Sequence, residues 1–383
     1  MILFGELYFF VCAAILLIPA IILGVLEKPI KYYGFLLTVV FVGLALWEKP
    51  VDIIYIVSYL ILELVLVLSY LRIRSNHGRK RGWFWTFLML SLAPLIICKV
   101  AGLFGQNIFA FMGISYMTFK SVQVIIEIYD DLIKEVKPFD FIYFLSFFPA
   151  LSSGPIDRSR RFDEDLSLIR SKADYLDLVG LGLFKICKGL VYKFVLAQAV
   201  YQAITYLGGG GSLISNVIYM YSYGFYLFFD FAGYSLMAIG TSYILGIVTP
   251  KNFDEPFISI DIKDFWDRWH ITLSHWFRDF VFSRFMMASI RGKWFKDKLT
   301  GACIGFMINM LLMGLWHGLS LSYILYGLYH GVLLAITEVY QKKSKFYKKH
   351  KKDKWYKFVS WFITFNLVMF GFFIFSGRFL EII

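Results

Sequence analysis

Long apolar runs separated by short polar loops dominate the chain. The first three cover residues 7–26, 30–47 and 53–71, and each has roughly the 20 mostly apolar residues that a helix needs to cross the hydrocarbon core of a membrane. Further apolar runs lie at residues 83–98, 107–128, 139–152, 176–206, 213–248, 299–316, 320–340 and 358–376. The pattern predicts an all-α polytopic membrane protein with roughly 11 spanning helices and some shorter re-entrant and interfacial helices.

Composition agrees with this prediction. Of 383 residues, 59% are hydrophobic and 20% aromatic, while only 17% are charged, which is far more apolar than a soluble domain tolerates. No basic segment precedes the first run and no small-residue cleavage site follows it, so we expect a retained helix rather than a signal peptide. The four cysteines stand singly in apolar runs. We expect them to be packing residues, with no metal site and no disulfide.

The net charge of +12 is concentrated in two loops. Residues 72–81 hold five basic side chains and residues 342–357 hold nine. Because short basic loops stay in the cytoplasm, we expect the N-terminus outside and the loops at 72–82 and 342–357 inside. Attraction to anionic membrane lipids is compatible with the same charges. No soluble basic module is visible, so the sequence predicts no nucleic-acid binding.

One polar segment, FWDRWHITLSHWFRDF at residues 265–280, interrupts the apolar pattern. On one continuous helix Arg268 and His275 would share a polar stripe, while Trp269 and His270 would lie on the opposite, aromatic face. We therefore predict a helix at the cytoplasmic boundary with its aromatic face inward. His275 is expected to be solvated. His270 is a functional candidate, because a buried imidazole must find a partner or lose its hydration.

A second histidine stands where two apolar runs meet. His317, in MGLWHGLS, lies between Gly314 and Gly318, and glycines permit close backbone approach or a helix interruption. The charge pattern places this break toward the outer half of the membrane. A histidine there is either a structural hydrogen-bonding residue or a catalytic group. The GGGGS run at residues 208–212 predicts a flexible loop.

Four sequence segments carry a family resemblance. DIKDFWDRWHITLSHWFRDF (261–280) and MGLWHGLSLSYILYGLYHG (313–331) resemble the signature regions of the membrane-bound O-acyltransferase family. GISYMTFKSVQVIIEIYDDLIKE (113–135) and FFPALSSGPIDRSRRF (147–162) resemble the members of that family that D-alanylate teichoic acids. The resemblance covers nearly the whole chain. The chain departs from the family in its short terminal extensions, which affects the expectation of peripheral docking elements but not that of the core motifs. It implies a multi-pass protein of the bacterial cell membrane.

The resemblance also implies a domain organisation. We expect a single integral-membrane domain over residues 1–383, with N-terminal helices at 1–98. A catalytic core follows at 99–340, with motif segments at 261–285 and 313–331, and a C-terminal helix ends the domain at 358–376.

The expected site follows from the same resemblance. It implies a narrow central passage, with the family's active-site histidine at His317 and its second motif histidine at His270. Residues that could line the substrate passage are Trp269, Trp316, Ser274 and His330, although the favoured interpretation of His330 is a packed, hydrogen-bonded core histidine. A histidine suits the removal of a proton from an acceptor hydroxyl. No Ser-His-Asp arrangement is visible, so an enzyme-bound acyl intermediate is not indicated.

The implied donor is a D-alanyl thioester on the phosphopantetheine arm of a small, acidic, cytoplasmic carrier protein, so the chain itself is expected to bind no cofactor. The implied acceptor is lipoteichoic acid or a relay membrane protein. Basic residues around an adaptable apolar centre could dock the carrier, and the candidates are Arg284, Met286, Met287, Arg291 and Lys293. Anchoring of this stretch to the membrane interface is the alternative.

Two rival functions remain open from the sequence. O-acetylation of an exported polysaccharide is another reaction of the same family. A transporter or scaffold without chemistry is the rival from a different class, because Glu63, Glu127 and Asp230 could be ion-coupling carboxylates within the membrane. No inverted repeat is visible to support transport.

Overall fold

The protein is described here from a computed structural model that covers residues 1–207 and 210–382. The predicted glycine-rich loop at 208–212 lies partly outside the described residues. Within them the chain is helical and contains no strand. The α-helices α1 to α18, in chain order, are Leu7–Leu16, Ile18–Val25, Lys31–Leu46, Pro50–His77, Arg81–Leu103, Ile114–Tyr129, Pro138–Ser146, Ser159–Ser167, Lys172–Leu190, Ala197–Leu207, Leu213–Ile244, Ile262–Trp266, Ile271–Phe277, Ser283–Arg291, Lys298–His317, Leu321–Lys343, Lys345–His350 and Lys354–Phe375.

Shorter helical turns connect several of these helices. Two are π-helical, Val191–Leu196 between α9 and α10 and Arg278–Phe282 between α13 and α14. Three are 3₁₀ turns, at Phe148–Ala150, Pro256–Ile258 and Arg378–Glu381. Such turns break the regular helical period, so the side chains before and after them face different directions.

The helices confirm the all-α membrane class. Five helical stretches of the described residues are long and apolar enough to cross a membrane, namely Leu7–Val25, Pro50–His77, Arg81–Leu103, Lys298–His317 and Lys354–Phe375. Their outward-facing side chains include many large apolar residues, as expected of a lipid-facing surface. The total of roughly 11 spanning helices stays a prediction.

The chain forms two compact units. The first contains residues 1–190 and 233–250, and the second contains residues 191–232 and 251–383. Helix α11 belongs to both, with its first part in the second unit and its last part in the first.

Helix α6 is the core helix of the first unit and is buried along almost its whole length. Its Lys120 is 1% exposed, and its ammonium donates to the carbonyl of Phe144 at 2.9 Å and to that of Leu145 at 3.4 Å. These carbonyls belong to the last turn of α7, which has no intrahelical donors for them. A buried lysine therefore closes the end of a short helix in the first unit.

Glu63, a carboxylate of the transporter alternative, lies in a polar cluster in the same unit. Its side chain is 0% exposed, and Ser91 donates to its Oε2 at 2.8 Å. The hydroxyl of Ser91 lies 3.2 Å from that of Ser121 on α6, and Tyr59 contacts Thr118 at 3.0 Å. These bonds join α4, α5 and α6, so the cluster has a structural role in holding three helices together.

The motif at residues 147–162 forms an ionic network in the first unit. Arg161 pairs with both Asp157 and Asp165, and Asp165 also accepts from Arg170 at 2.7 Å and from the backbone N–H of Val248 at 2.8 Å. Because these groups lie along α8, on either side of it and just after α11, the network fixes the path of the chain beyond α11.

Close helix packing defines the second unit. A Cβ on Gly314 of α15 would lie 2.4 Å from the carbonyl oxygen of Tyr323, and a Cβ on Gly327 of α16 would lie 2.5 Å from that of Met310. Only glycine permits this backbone approach. The two helices therefore pack with their backbones nearly in contact, which fixes the position of His317 at the end of α15.

Candidate active site

The polar segment at residues 265–280 is broken at His270 and is not the single helix predicted from its periodicity. Helix α12 ends at Trp266, and α13 begins after His270, whose φ of 44° lies in the left-handed region. The carbonyl of His270 accepts from the backbone N–H groups of Leu273 and Ser274, both at 3.0 Å. A non-glycine residue in this conformation costs about 1 to 3 kcal/mol, so the surrounding contacts must hold it there.

The predicted separation of buried and exposed faces survives this break. Trp266, Trp269 and Trp276 are 5 to 7% exposed and His270 is 3% exposed. The side chain of His275 is 37% exposed and lies 3.7 Å from Asp267. Thus Trp269 and His270 face inward and His275 faces outward, as predicted, and Trp266 and Trp276 are buried with them.

Asn252 holds the start of α13, and sequence reasoning missed it. Its backbone carbonyl accepts from the N–H of Ile271 at 2.9 Å. Its side-chain Oδ1 accepts from the hydroxyl of Thr272 at 2.8 Å and from the N–H of the same residue at 3.3 Å. Asn252 is 1% exposed. The residues on the C-terminal side of His270 are therefore anchored by one buried amide.

A second anchor holds α12 on the N-terminal side of His270. Asp261 caps α12 by accepting from the N–H groups of Lys263 and Asp264, and it also accepts from Gln341 of α16 at 2.9 Å. The ammonium of Lys263 pairs with Glu338 of the same helix. The only sequence signal for these contacts was an aspartate ahead of a short helix, because the partners lie more than 70 residues away.

An aromatic cluster surrounds the backbone at His270. Trp269 packs with ring centroids 5.7 Å from Phe265, 5.1 Å from Phe253 and 4.7 Å from Phe372. The ring of Phe231 meets that of His270 edge to face at 4.7 Å. Ser274 donates to the carbonyl of Trp269 at 3.1 Å, so this predicted passage residue fixes the backbone.

His317 is the last residue of α15 and is half-buried. Four aromatic rings contact its imidazole, with centroid distances of 4.7 Å to Trp316, 5.0 Å to Phe375, 6.0 Å to Tyr323 and 6.2 Å to Tyr326. A half-buried imidazole held between rings can exchange a proton with a bound molecule.

The two motif histidines belong to one site within the second unit. The ring of Trp316 lies 6.4 Å from that of His270 and 4.7 Å from that of His317. Burial, with a smaller contribution from nearby His317, lowers the pKa of His270 well below the ordinary value, which keeps its imidazole neutral at pH 7. His270 is therefore a neutral hydrogen-bonding group, and His317 is the more accessible of the two.

Several buried polar atoms beside these histidines lack a hydrogen-bond partner within the described residues. They are His270 Nε2, Trp266 Nε1 and both ring nitrogens of His330. His330 is 0% exposed, and its ring lies 4.7 Å from that of Tyr326 and 5.2 Å from that of Trp266. Buried polar groups without partners are costly, so this concentration is typical of a site that binds water or a polar ligand.

Helix α14 carries the residues predicted to dock a carrier protein. Met287 is 50% exposed, as are Ile290 at 49% and Trp294, just beyond the helix, at 57%, whereas Met286 and Arg284 are half-buried. Arg291 and Lys293 are exposed beside them. The structure therefore places an apolar patch next to basic side chains, with Met287 rather than Met286 as its most exposed methionine.

The other two carboxylates of the transporter alternative have cationic neighbours. Glu127 lies 3.7 Å from Arg160 in the first unit, and Asp230 pairs with Lys193 in the second. Among the described residues, no group of three or more His, Cys, Asp or Glu side chains could hold a metal ion.

Comparison with known proteins agrees with the geometry. Residues 53–377 match the membrane-bound O-acyltransferase family. The chain is 40% identical to the teichoic acid D-alanyltransferase of Bacillus subtilis (strain 168), over 98% of both chains. It is also 40% identical to the teichoic acid D-alanyltransferase of Streptococcus thermophilus, over 98% of this chain and 94% of that one. A probable alginate O-acetylase, AlgI, of Pseudomonas aeruginosa is 31% identical over 71% of this chain and 49% of its own length. With its family match and its paired motif histidines, the chain belongs to the membrane-bound O-acyltransferase family.

Proposed function

We propose that this protein transfers D-alanine from a carrier-bound thioester to a hydroxyl group of teichoic acid or of a relay membrane protein. The observation that carries the proposal is the pairing of accessible His317 with buried, neutral His270 in a chain 40% identical, over nearly its whole length, to teichoic acid D-alanyltransferases. The more distant alginate O-acetylase relative covers less of the chain, which favours D-alanyl transfer over acetyl transfer.

His317 is the proposed general base. An alcohol is a weak nucleophile at neutral pH, so its proton must leave as its oxygen attacks the thioester carbonyl. The proton passes to the imidazole of His317, a C–O bond forms, and the C–S bond breaks. The imidazolium then returns the proton to the departing thiolate. No covalent acyl-enzyme forms in this direct transfer.

His270 has a different proposed role. Its neutral imidazole carries a buried Nε2 without a partner among the described residues, and as a hydrogen-bond donor it could polarise or orient the thioester carbonyl. The left-handed backbone at His270 and the anchors on both sides of it fix that direction. Preorganised donors of this kind accelerate reactions because they do not reorganise during the chemical step.

Helix α14 is the proposed docking surface for the carrier protein that brings the donor. A small acidic carrier protein would find exposed Met287 and Ile290 beside the basic residues Arg291 and Lys293. Charge complementarity would orient the carrier, and the flexible methionine would adapt to its surface. The phosphopantetheine arm would then bring the thioester to the site from the cytoplasm, while the acceptor reaches His317 from the opposite side.

The test of the reaction is transfer of labelled D-alanine from the loaded carrier to teichoic acid in membranes. His317→Ala should reduce the rate by about 10² to 10⁴, the range for loss of a general base, with carrier binding retained. His275→Ala is the matched control, because His275 faces outward from the same segment, and its rate should remain within about twofold. A near-parental rate for His317→Ala would refute the assignment of the base.

The docking role is tested separately by carrier binding. Met287→Asp should weaken pull-down of the carrier about tenfold or more, since a charge is placed at the centre of an apolar contact. Leu168→Asp is the control, because Leu168 is similarly exposed at 54% but lies outside α14. If both variants and the parent protein bind the carrier equally well, α14 does not dock the carrier, and anchoring to the membrane interface is its role.

A further inference from the structure

A row of hydroxyl-bearing rings lies along one face of α11. Tyr219, Tyr223, Tyr226 and Asp230 follow each other at intervals of four, three and four residues, which places them on the same side of a helix. All four are half-buried and belong to the second unit. We call this set the tyrosine row.

The rings of this row are ordered by mutual contacts. Tyr219 and Tyr223 stack with centroids 5.7 Å apart and planes 9° apart, and Tyr223 lies 6.5 Å from Tyr226. The guanidinium of Arg378 covers the ring of Tyr219 at 4.4 Å. At the other end Asp230 pairs with Lys193. The tyrosine row therefore runs from one cationic side chain to another.

The tyrosine row also approaches the catalytic histidine. Tyr223 lies near enough to interact electrostatically with Tyr323 and Tyr326 of α16. The rings of these two residues contact His317, at 6.0 and 6.2 Å respectively. This series of tyrosine side chains, in which Tyr223 is within electrostatic range of Tyr323 and Tyr326, runs from Arg378 toward the proposed base.

The hydroxyl groups of this series are not used to stabilise the fold. Within the described part of the chain, the hydroxyls of Tyr223, Tyr226, Tyr323 and Tyr326 make no hydrogen bond. For Tyr326, which is 2% exposed, this is unusual, because a buried tyrosine hydroxyl normally finds a partner. By contrast, the hydroxyl of Tyr221, on another face of α11, donates to Asn366.

We propose that the tyrosine row, with Arg378, Tyr323 and Tyr326, is the acceptor-binding track and that its ligand is a polyol phosphate. Tyrosine hydroxyls bind polyol hydroxyls, and ring faces cover their C–H groups. Arg378 is suited to bind phosphate oxygens, because its Nε and Nη2 donate to Asn216 and Gly210 while its Nη1 has no hydrogen bond to the described residues. This inference rests on the proposed function, because it takes the hydroxyl that His317 deprotonates to be the ligand's own.

Binding is measured first, without any donor, so that it does not depend on transfer. The probe is unmodified poly(glycerol phosphate), added to the full chain in detergent. Tyr223→Phe and Tyr323→Phe remove one hydroxyl each and keep the ring, and we expect each to weaken binding about tenfold. Tyr221→Phe also loses a tyrosine hydroxyl from α11, but on another face, and should bind like the parent protein.

The phosphate contact has its own test in the transfer reaction. Arg378→Gln should raise the KM for poly(glycerol phosphate) about tenfold, and it should raise the KM for glycerol, which has no phosphate, by a smaller factor. Tyr223→Phe and Tyr323→Phe should raise the KM for both acceptors. The affinity for the carrier protein should not change in any of these variants.

The outcomes separate this inference from the proposed function. If poly(glycerol phosphate) binds to the parent protein and binds less well to Tyr223→Phe, but receives no D-alanine, the track is supported and direct transfer to this polymer is refuted. Transfer by the parent protein with binding and KM unaltered in Tyr223→Phe and Tyr323→Phe would overturn the track. A peptide acceptor that is used in preference to the polymer and is slowed by the same substitutions would overturn the ligand class.

Discussion

Removing the amide of Asn252 should impair the reaction through His270, which it does not contact directly. Its Oδ1 accepts two bonds from Thr272, at 2.8 Å and 3.3 Å. Asn252→Ala removes an acceptor that the two donors of Thr272 share. The expected loss is about 1 to 3 kcal/mol, less whatever an entering water restores.

The same loss releases a strained backbone. The left-handed conformation of His270 costs about 1 to 3 kcal/mol, comparable with the interaction that Asn252→Ala removes, so the His270 backbone is free to relax once the anchor is gone. Displacement of the imidazole by about 1 Å is enough to reduce a rate about 10²-fold. Transfer should thus fall about 10²-fold even where the protein remains folded, because the hydrogen-bonding group has moved.

Two measurements on the purified protein in detergent check this prediction: the unfolding midpoint from tryptophan fluorescence, and D-alanyl transfer well below that temperature. Thr272→Val should reproduce part of both losses and Thr272→Ser should restore them, since serine keeps the donor. Ser242→Ala is the control, because Ser242 is 0% exposed but donates only within α11. An Asn252→Ala variant that melts and transfers like the parent protein would refute the reasoning.

Two further predictions concern packing and topology. Gly327→Leu should lower the unfolding midpoint and reduce transfer in detergent, because even its Cβ would lie 2.5 Å from the carbonyl oxygen of Met310; Gly180→Leu, at an open position in α9, should do neither. Cysteines at Ser75 and Lys352, in a chain whose four native cysteines are replaced, should resist an impermeant thiol reagent in intact cells because both basic loops are predicted to be cytoplasmic. Labelling of both from outside would reverse the predicted orientation.

The site was only partly predictable from the sequence. His270 and His317 could be recognised as candidates, since polar residues are rare and costly in so apolar a chain, and the burial of His270 followed from its aromatic neighbours. The helix break at His270 could not be predicted, because FWDRWHITLSHWF has a helical period throughout. Asn252 gave no signal either, since an isolated asparagine ahead of the motif is typical of an ordinary loop.

The distribution of apolar residues along the chain was enough to distinguish the segments that lie in lipid from the loops that lie in water. Long apolar runs, with little charge between them, can satisfy their backbone groups in lipid only as helices, so the all-α membrane class followed from composition and run length. Tertiary structure decided which distant side chains meet. The ring of Trp316 reached those of both His270 and His317, and Tyr223 approached Tyr323, only because glycine contacts and buried polar anchors fix the helices at short range. Such contacts depend on packing in three dimensions, which the local periodicity of a sequence does not record.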